Sequence, residues 1–369
     1  MGASRSSAHV LGFGLSADTP PLSEQHLHNH RGDLLNVQPL PELEFGARAY
    51  NGHRGQMHAV LLEYARSLGL DIRLGMHVSE YWEDPARGVA GVVVRGQRLE
   101  GNLVVGADGV KSKARTHVLG YKDAPKASGY AIYRAWFNAQ RQGIDRDPLT
   151  DFMCKGEDVV YAWIGQDVHF ITSCSQNGTA VSCVLTHRDN SDIEESWSLA
   201  AKIEDVLDVV RDWDPRCSAI LSKAPSFVDW KLVHRDPLPS WISMAGHLVL
   251  IGDAAHPFLP TSIQGASQAM EDGVTLAVTL QLSGKTKVPH AVRIWEHMRY
   301  QRVRLAQLMG ESTRDNWHRT NSNDSCDRVL DLPRPEWLFA FDAERHAYDV
   351  YEKVSRDIQE RGYEQPTLP

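Results

Sequence analysis

From Gln56 onward the apolar residues Met57, Val60, Leu61, Tyr64, Ala65 and Leu68 recur at steps of three and four, and Gly69 follows the last of them. This spacing lays one apolar stripe along a helix and sets glycine where a left-handed C-terminal cap belongs, so it predicts an amphipathic helix. Short strand-like runs follow at 71–74, 89–95 and 102–106. Between 121 and 240 the character changes: β-prone runs at 130–138, 159–164, 168–173 and 179–186 alternate with Gly, Asp and Asn turns. That pattern predicts a sheet-rich module, with one helix near 198–212. Leu248-Val249-Leu250-Ile251 then predicts a buried strand, and a long helical pattern starts near Ser262. The remainder, 289–360, reads as helical and polar. Residues 1–45 carry no persistent period, and Pro20, Pro21, Pro39 and Pro41 interrupt them, so an irregular segment is expected there.

Composition narrows the class without naming a function. At 369 residues the chain exceeds what one core usually supports, and two domains are expected. A net charge of −8 supplies no basic field, which argues against nucleic acid and anionic membrane as partners. The five cysteines form no CxxC pair and no zinc-type spacing, which points to reduced thiols in a cytoplasmic protein. No apolar run nears the roughly 20 residues that span a bilayer. Gly2 to Ser6 fits the loose myristoylation pattern, which is too short to carry an assignment.

Two segments share one construction, an apolar strand followed by a Gly, an Asp and a helix. They are Leu103-Val104-Val105-Gly106-Ala107-Asp108-Gly109 and Leu248-Val249-Leu250-Ile251-Gly252-Asp253-Ala254-Ala255-His256-Pro257. In open α/β sheets ligands bind beyond the carboxyl ends of strands, where a carboxylate can accept hydrogen bonds from sugar hydroxyls. After the second turn, Ser262 can cap a helix whose first residues, Gly265-Ala266-Ser267, leave its N–H groups sterically open. Such a terminus favours negative charge.

These segments resemble the DG and GD motifs of the single-component FAD-dependent aromatic hydroxylases, the family that includes salicylate and p-hydroxybenzoate hydroxylase. Gly106-Ala107-Asp108-Gly109 with Ser112 and Arg115 resembles the DG motif; Gly252 to Pro257 with Gln264-Gly265-Ala266 and Glu271-Asp272 resembles the GD motif. His53-Arg54-Gly55-Gln56 resembles the segment opening the helix beneath the cofactor. The resemblance runs from about 46 to 345. It implies an α/β FAD-binding domain of glutathione-reductase type with an inserted β-sheet substrate domain and a helical C-terminal region. The implied division is an irregular 1–45, FAD-binding parts at 46–120 and 241–290, the substrate domain at 121–240 and the helical region at 291–369. Arg54, Asp108, Gly109, Asp253, Gly265 and Ala266 are the implied FAD-binding residues. His256 reads as a packing residue rather than a base.

The family opens with a strand and G-x-G-x-x-G, which seats the pyrophosphate on a helix terminus. Here only Gly12-Phe13-Gly14-Leu15-Ser16-Ala17 fits the letters, and Asp18-Thr19-Pro20-Pro21 stand where the helix should run. The expectation is a chain lacking most of the family's first βαβ unit, with FAD binding weakened by the loss of several hydrogen bonds of about 1 kcal/mol each. An incomplete gene model, a splice form and a protein that no longer holds FAD tightly all account for it.

The resemblance further implies NAD(P)H- and O2-dependent hydroxylation of an aromatic or related small molecule, with NADPH or NADH as reductant. Two alternatives remain open: a non-catalytic remnant acting as a binding protein, and a flavin dehydrogenase or oxidase. Within Gly129-Tyr130-Ala131-Ile132-Tyr133-Arg134-Ala135-Trp136, Arg134 is the candidate to hold a substrate carboxylate or phenolate through its planar fork. Pro260 matches a family proline whose carbonyl lies near the substrate hydroxyl. Ser173 stands where many relatives carry a tyrosine. His26, His28 and His30 alternate in a polar stretch but lack the converging partners of a metal site.

Overall fold

The computed structural model describes residues 22–40, 45, 54–189, 199–259, 262–318 and 333–368. In chain order come strands β1 (Leu22–Asn29) and β2 (Leu34–Pro39), helix α1 (Arg54–Ser67), and strands β3 (Val78–Asp84), β4 (Val89–Val94), β5 (Gln97–Gly101) and β6 (Val104–Gly106). Helix α2 (Lys113–Leu119), β7 (Lys126–Asn138), β8 (Asp158–Gly165), β9 (Val168–Ser175), β10 (Ala180–Arg188) and β11 (Leu199–Ala201) follow. Then come α3 (Ile203–Val209), α4 (Pro215–Leu221), β12 (Phe227–His234), β13 (Leu248–Leu250), α5 (Gly265–Ser283), α6 (Val288–His318), α7 (Glu336–Phe339) and α8 (Ala343–Arg361). The chain divides into two compact units. One comprises Met1–Asp71, Ala127–Val233 and Thr313–Ala340; the other comprises Ile72–Lys126, His234–Ser312 and Phe341–Pro369.

The first unit is built on an eight-stranded sheet in the order β11-β12-β7-β10-β9-β8-β1-β2. The two-residue period of the strands sends Tyr133, Phe137, Phe170, Val181 and Leu185 to one face, where they pack with Val206, Ile220 and Leu221 of α3 and α4. Arg134, one residue out of step with Tyr133, belongs to the opposite face of β7.

The segment 22–39 corrects the expectation of an irregular N-terminal stretch. β1 lies between β2 and β8, parallel to β8 with His26 opposite Tyr161 and His28 opposite Trp163. Its polar letters hid it, because Gln25 and His28 are buried alongside Leu27. His28 stacks on Trp163 at 5.1 Å and His26 meets Tyr161 edge-on at 5.3 Å. The alternating histidines therefore fill one face of a strand. Burial, reinforced by Arg216, pushes His28 down to about 4. The turn after β1 is held by Asp214, whose Oδ2 accepts from Trp163 Nε1 at 2.8 Å and whose N–H donates to His30 O at 2.7 Å. Gly32 sits there at φ +93°, where a Cβ would lie 2.5 Å from Asp214 Oδ2.

The second unit pairs β6 with β13 in parallel and folds β3-β4-β5 as a meander. Leu248, Val249 and Leu250 are fully buried against Trp241, Leu276, Trp295 and Tyr300. Amphipathic α8 closes over α5 and α6 through Ala347, Tyr351 and Val354. The run at 71–74, expected as a strand, is not one, and Leu74 is largely exposed. Helix α1 forms over the expected residues, but none of them is buried. Among the described residues no helix is long and apolar enough to cross a membrane.

Candidate functional site

The two acidic turns meet in the second unit, side by side at the carboxyl ends of neighbouring parallel strands. Val104 pairs with Leu248 and Gly106 with Leu250, and Ile251 N–H extends the ladder to Gly106 O at 3.0 Å. Gly106 is required by proximity, since a Cβ there would lie 2.5 Å from Ala114 Cβ.

Asp108 turns back onto its own helix. Its Oδ2 accepts from Lys113 N at 2.8 Å, Ala114 N at 3.1 Å and Tyr81 Oη at 3.1 Å. Burial works to raise its pKa, but hydrogen bonds from Ser112, Ala114, Lys113 and Tyr81 outweigh it and hold the carboxyl below the ordinary value. Gly109 follows at φ +77° with open space where a side chain would stand. In the second turn Gly252 takes φ +56°, which glycine adopts readily, and Asp253 is exposed just beyond the strand end.

Arg115, only 2% exposed, ties the turns together. Its Nε donates to Ala254 O at 2.8 Å, Nη2 to Asp253 O at 2.7 Å and Nη1 to Val110 O at 2.8 Å. Burial, then the nearby charge of Arg235, lowers it to about 10. Its place in the DG motif was readable from the sequence; its grip on the other turn was not, because that contact spans 139 positions.

Helix α5 begins at Gly265 rather than at the expected Ser262 cap, and its N-cap residue Gln264 makes no side-chain capping bond. Ser262 Oγ instead donates to Leu259 O at 2.8 Å and accepts from Gln264 N at 3.3 Å. Ala266 is exposed and Gly265 half-buried, which leaves the opening turn of a 19-residue helix free of large side chains. Gly310 of α6 lets this loop approach, since a Cβ there would fall 2.5 Å from Ser262 Cβ.

Behind the second turn lies a buried charge network that the sequence did not reveal as such. Asp272 Oδ2 accepts from Gly252 N at 2.9 Å and from His256 Nε2 at 2.6 Å, and its Oδ1 accepts from Arg299 Nε at 3.0 Å. Arg299 also reaches Glu271 at 2.5 Å and Gln268 Oε1 at 2.7 Å. Burial raises Asp272, but His256 and Arg299 overcome it and keep the carboxylate charged. An ionised Asp272 can only accept, so His256 Nε2 carries the proton.

The remaining candidates fall in the first unit. Arg134 lies half-buried over the Trp230 ring at 5.4 Å. Burial, followed by repulsion from Arg54, lowers its pKa, so these two guanidinium groups share one neighbourhood. Arg54 opens α1, whose Gln56 accepts from Gln176 Nε2 at 2.9 Å. Ser173 is buried and bonded to Ser182 Oγ at 2.9 Å. Pro260, His53 and Gly12 to Ala17 lie outside the described residues.

Comparison with known proteins agrees with this arrangement. The profile of the FAD binding domain family matches residues 46–306. The chain is 36% identical over 327 residues to asperlicin C monooxygenase of Petromyces alliaceus, covering 86% of this chain and 71% of that one. It is 34% identical over 345 residues to the FAD-dependent monooxygenase fmqB of Aspergillus fumigatus, covering 87% and 82%. Among solved structures, CtdE in complex with FAD and a substrate superposes with a TM-score of 0.87 at 31% identity, covering 95% of this chain and 85% of that one. A salicylate hydroxylase substrate complex shares the fold with a TM-score of 0.68 at 19% identity, covering 97% and 87%. The chain is therefore a member of the FAD binding domain family and, within it, of the FAD-dependent monooxygenases.

Proposed function

We propose that the protein is a cytosolic NAD(P)H- and O2-dependent hydroxylase of an aromatic or related small molecule. The observation that carries this reading is the exposed Asp253 beyond β13, in the same unit as an α5 terminus that no side chain caps. These residues fit a flavin: Asp253 offers a carboxylate for ribityl hydroxyls, and the free N–H groups around Gly265 and Ala266 suit its electron-rich edge. Gly109 adds room at the DG turn for the same cofactor, with Asp108 ordering that turn. When bound, FAD passes reducing equivalents from NADPH or NADH to O2, which supplies the oxygen inserted into the substrate.

The chain's own residues hold and orient. Arg134, stiffened by Trp230 and already crowded by Arg54, favours an anionic partner, so a substrate carboxylate or phenolate would relieve two like charges at once. The Pro260 carbonyl would accept the substrate hydroxyl. His256, buried and committed to Asp272, keeps the turn in shape and takes no proton from substrate.

The test is direct. Protein supplied with FAD should turn yellow, oxidise NADPH or NADH faster in the presence of a phenolic acid, and incorporate label from 18O2 into the product. Cofactor oxidation without label in the product would overturn hydroxylation. Asp253→Ala should abolish FAD retention; stoichiometric flavin in that variant would remove Asp253 from the site.

A further inference from the structure

Away from the acidic turns, the first unit holds two thiols in contact. Cys154 ends the short 3₁₀ turn Asp151–Cys154, and Cys174 is the penultimate residue of β9. Their Sγ atoms lie 3.8 Å apart, close enough for one thiol to donate to the other. The two differ in access: Cys174 is 2% exposed, whereas Cys154 is partly open to solvent. A bare glycine brings the two segments together. Gly178, in the hairpin that follows β9, would place a Cβ 3.1 Å from Cys154 O and 3.3 Å from its Cα. Beyond Cys154 come Lys155, Gly156 and Glu157, all exposed, with Gly156 at φ +88°, so the chain on that side can give way. A disulfide needs its sulfurs about 2.05 Å apart. Rotation about the Cys154 Cα–Cβ bond and a small shift of this exposed turn cover the difference.

We infer that Cys154 and Cys174 form a reversible redox pair, closed to a disulfide by hydrogen peroxide. The Cys154 thiolate, the more open of the two, attacks one peroxide oxygen. The O–O bond breaks, the released hydroxide takes up a proton and leaves as water, and Cys154 becomes a sulfenic acid. Cys174 then gives up its proton and attacks the Cys154 sulfur; the S–O bond breaks and a second water leaves. Two thiols and one peroxide thus yield one disulfide and two waters, with both sulfurs oxidised and both peroxide oxygens reduced. Contact selects the partner, since Cys183 is 1% exposed and its thiol meets Thr172 Oγ1 at 3.7 Å. The charges around the pair are Asp145 and Asp151 beside Cys154 and Asp158 beside Cys174, with Arg146 on Asp145 and Lys155 on Asp151. Burial, the largest cause, and these carboxylates hold both thiols above the ordinary value, although the contact with Cys174 works the other way at Cys154. Thiolate is therefore scarce at neutral pH, and the pair closes faster as pH rises. The bridge spans 20 positions of chain and fastens the turn to the end of β9, and excess thiol reopens it.

The test uses the full-length protein, reduced, freed of reductant, treated with hydrogen peroxide, blocked with N-ethylmaleimide and mapped by proteolysis and mass spectrometry. The expected product is a Cys154–Cys174 cross-linked peptide, lighter by two hydrogens than its separate halves and lost on treatment with dithiothreitol. Its rate of formation should rise about tenfold from pH 7 to pH 8, as the thiolate fraction does. Cys174→Ser removes the second sulfur, so Cys154 should stop at a sulfenic acid that dimedone labels, whereas the wild-type protein should take up little dimedone. Should that variant fail to fold, Cys154→Ala replaces it and should leave the buried Cys174 untouched by peroxide. Three results would overturn the pair: Cys154 recovered unoxidised, Cys154 carried to sulfinic acid without a cross-linked peptide, or Cys154 bridged to another cysteine.

Discussion

Asp272 has no solvent access, yet three donors converge on its carboxylate from the GD turn, the imidazole and α6. Removing its charge would leave Arg299 buried beside a neutral amide, and breaking such a pair typically costs about 3–5 kcal/mol. Asp272→Asn is expected to lose stability on that scale in urea unfolding and to bind FAD more weakly; a variant as stable as wild type would refute the network's role. Glu296 behaves oppositely. Burial pushes it up to about 7, although Trp241 N–H and Ser240 Oγ donate to it and Tyr363 Oη bonds its other oxygen. Its folded pKa thus lies above the unfolded value of 4.5. The stability it contributes is full below that value and is lost as pH climbs through 7. Glu296→Gln stays neutral throughout, so its stability relative to wild type should rise by about 1–3 kcal/mol between pH 5 and pH 8. A pH-independent difference would reject this account.

At the scale of elements, close approach rather than propensity sets the site. The loop before α5 passes so near α6 that Gly310→Ala would press a methyl into Ser262. Overpacking of this kind costs about 1–3 kcal/mol, and the variant should show a lower melting temperature and weaker flavin binding together. If only stability changes, the loop is not part of the flavin surface. Strong periods were legible in the sequence: the 3.6-residue pattern after Gln56 and the apolar run 248–251 gave α1 and β13 close to their observed bounds. Strand β1 was not, since its buried positions include the polar Gln25 and His28 beside Leu27, and His28 is buried by stacking on Trp163 of a strand distant in sequence. The expected Ser262 cap did not form, because the serine hydroxyl bonds locally to Leu259 O and to Gln264 N–H while α5 starts at Gly265. For the candidate site, Asp253 and the open Gly265-Ala266 turn were readable as local chemistry, whereas Arg115 and Asp272 act through contacts far apart in sequence.

Across the whole molecule, the chain leaves one compact unit at Lys126 and returns to it at His234, with the eight-stranded sheet formed largely in between. A cofactor that binds only the folded form should stabilise it by about 2.7 kcal/mol at a hundredfold excess over Kd, or several degrees of melting temperature. FAD titration read by differential scanning fluorimetry checks this, and an unshifted melting curve would count against flavin binding by this chain.

The guanidinium of Arg115 has one more consequence. It grips carbonyls of both strand ends with a single rigid fork, so displacement of either peptide is felt by the other. Where two ligands engage these neighbouring turns, this link lets each alter the other's affinity, and thermodynamic reciprocity makes the factor identical in both directions. Arg115→Lys, with fewer donors in no fixed plane, would uncouple them.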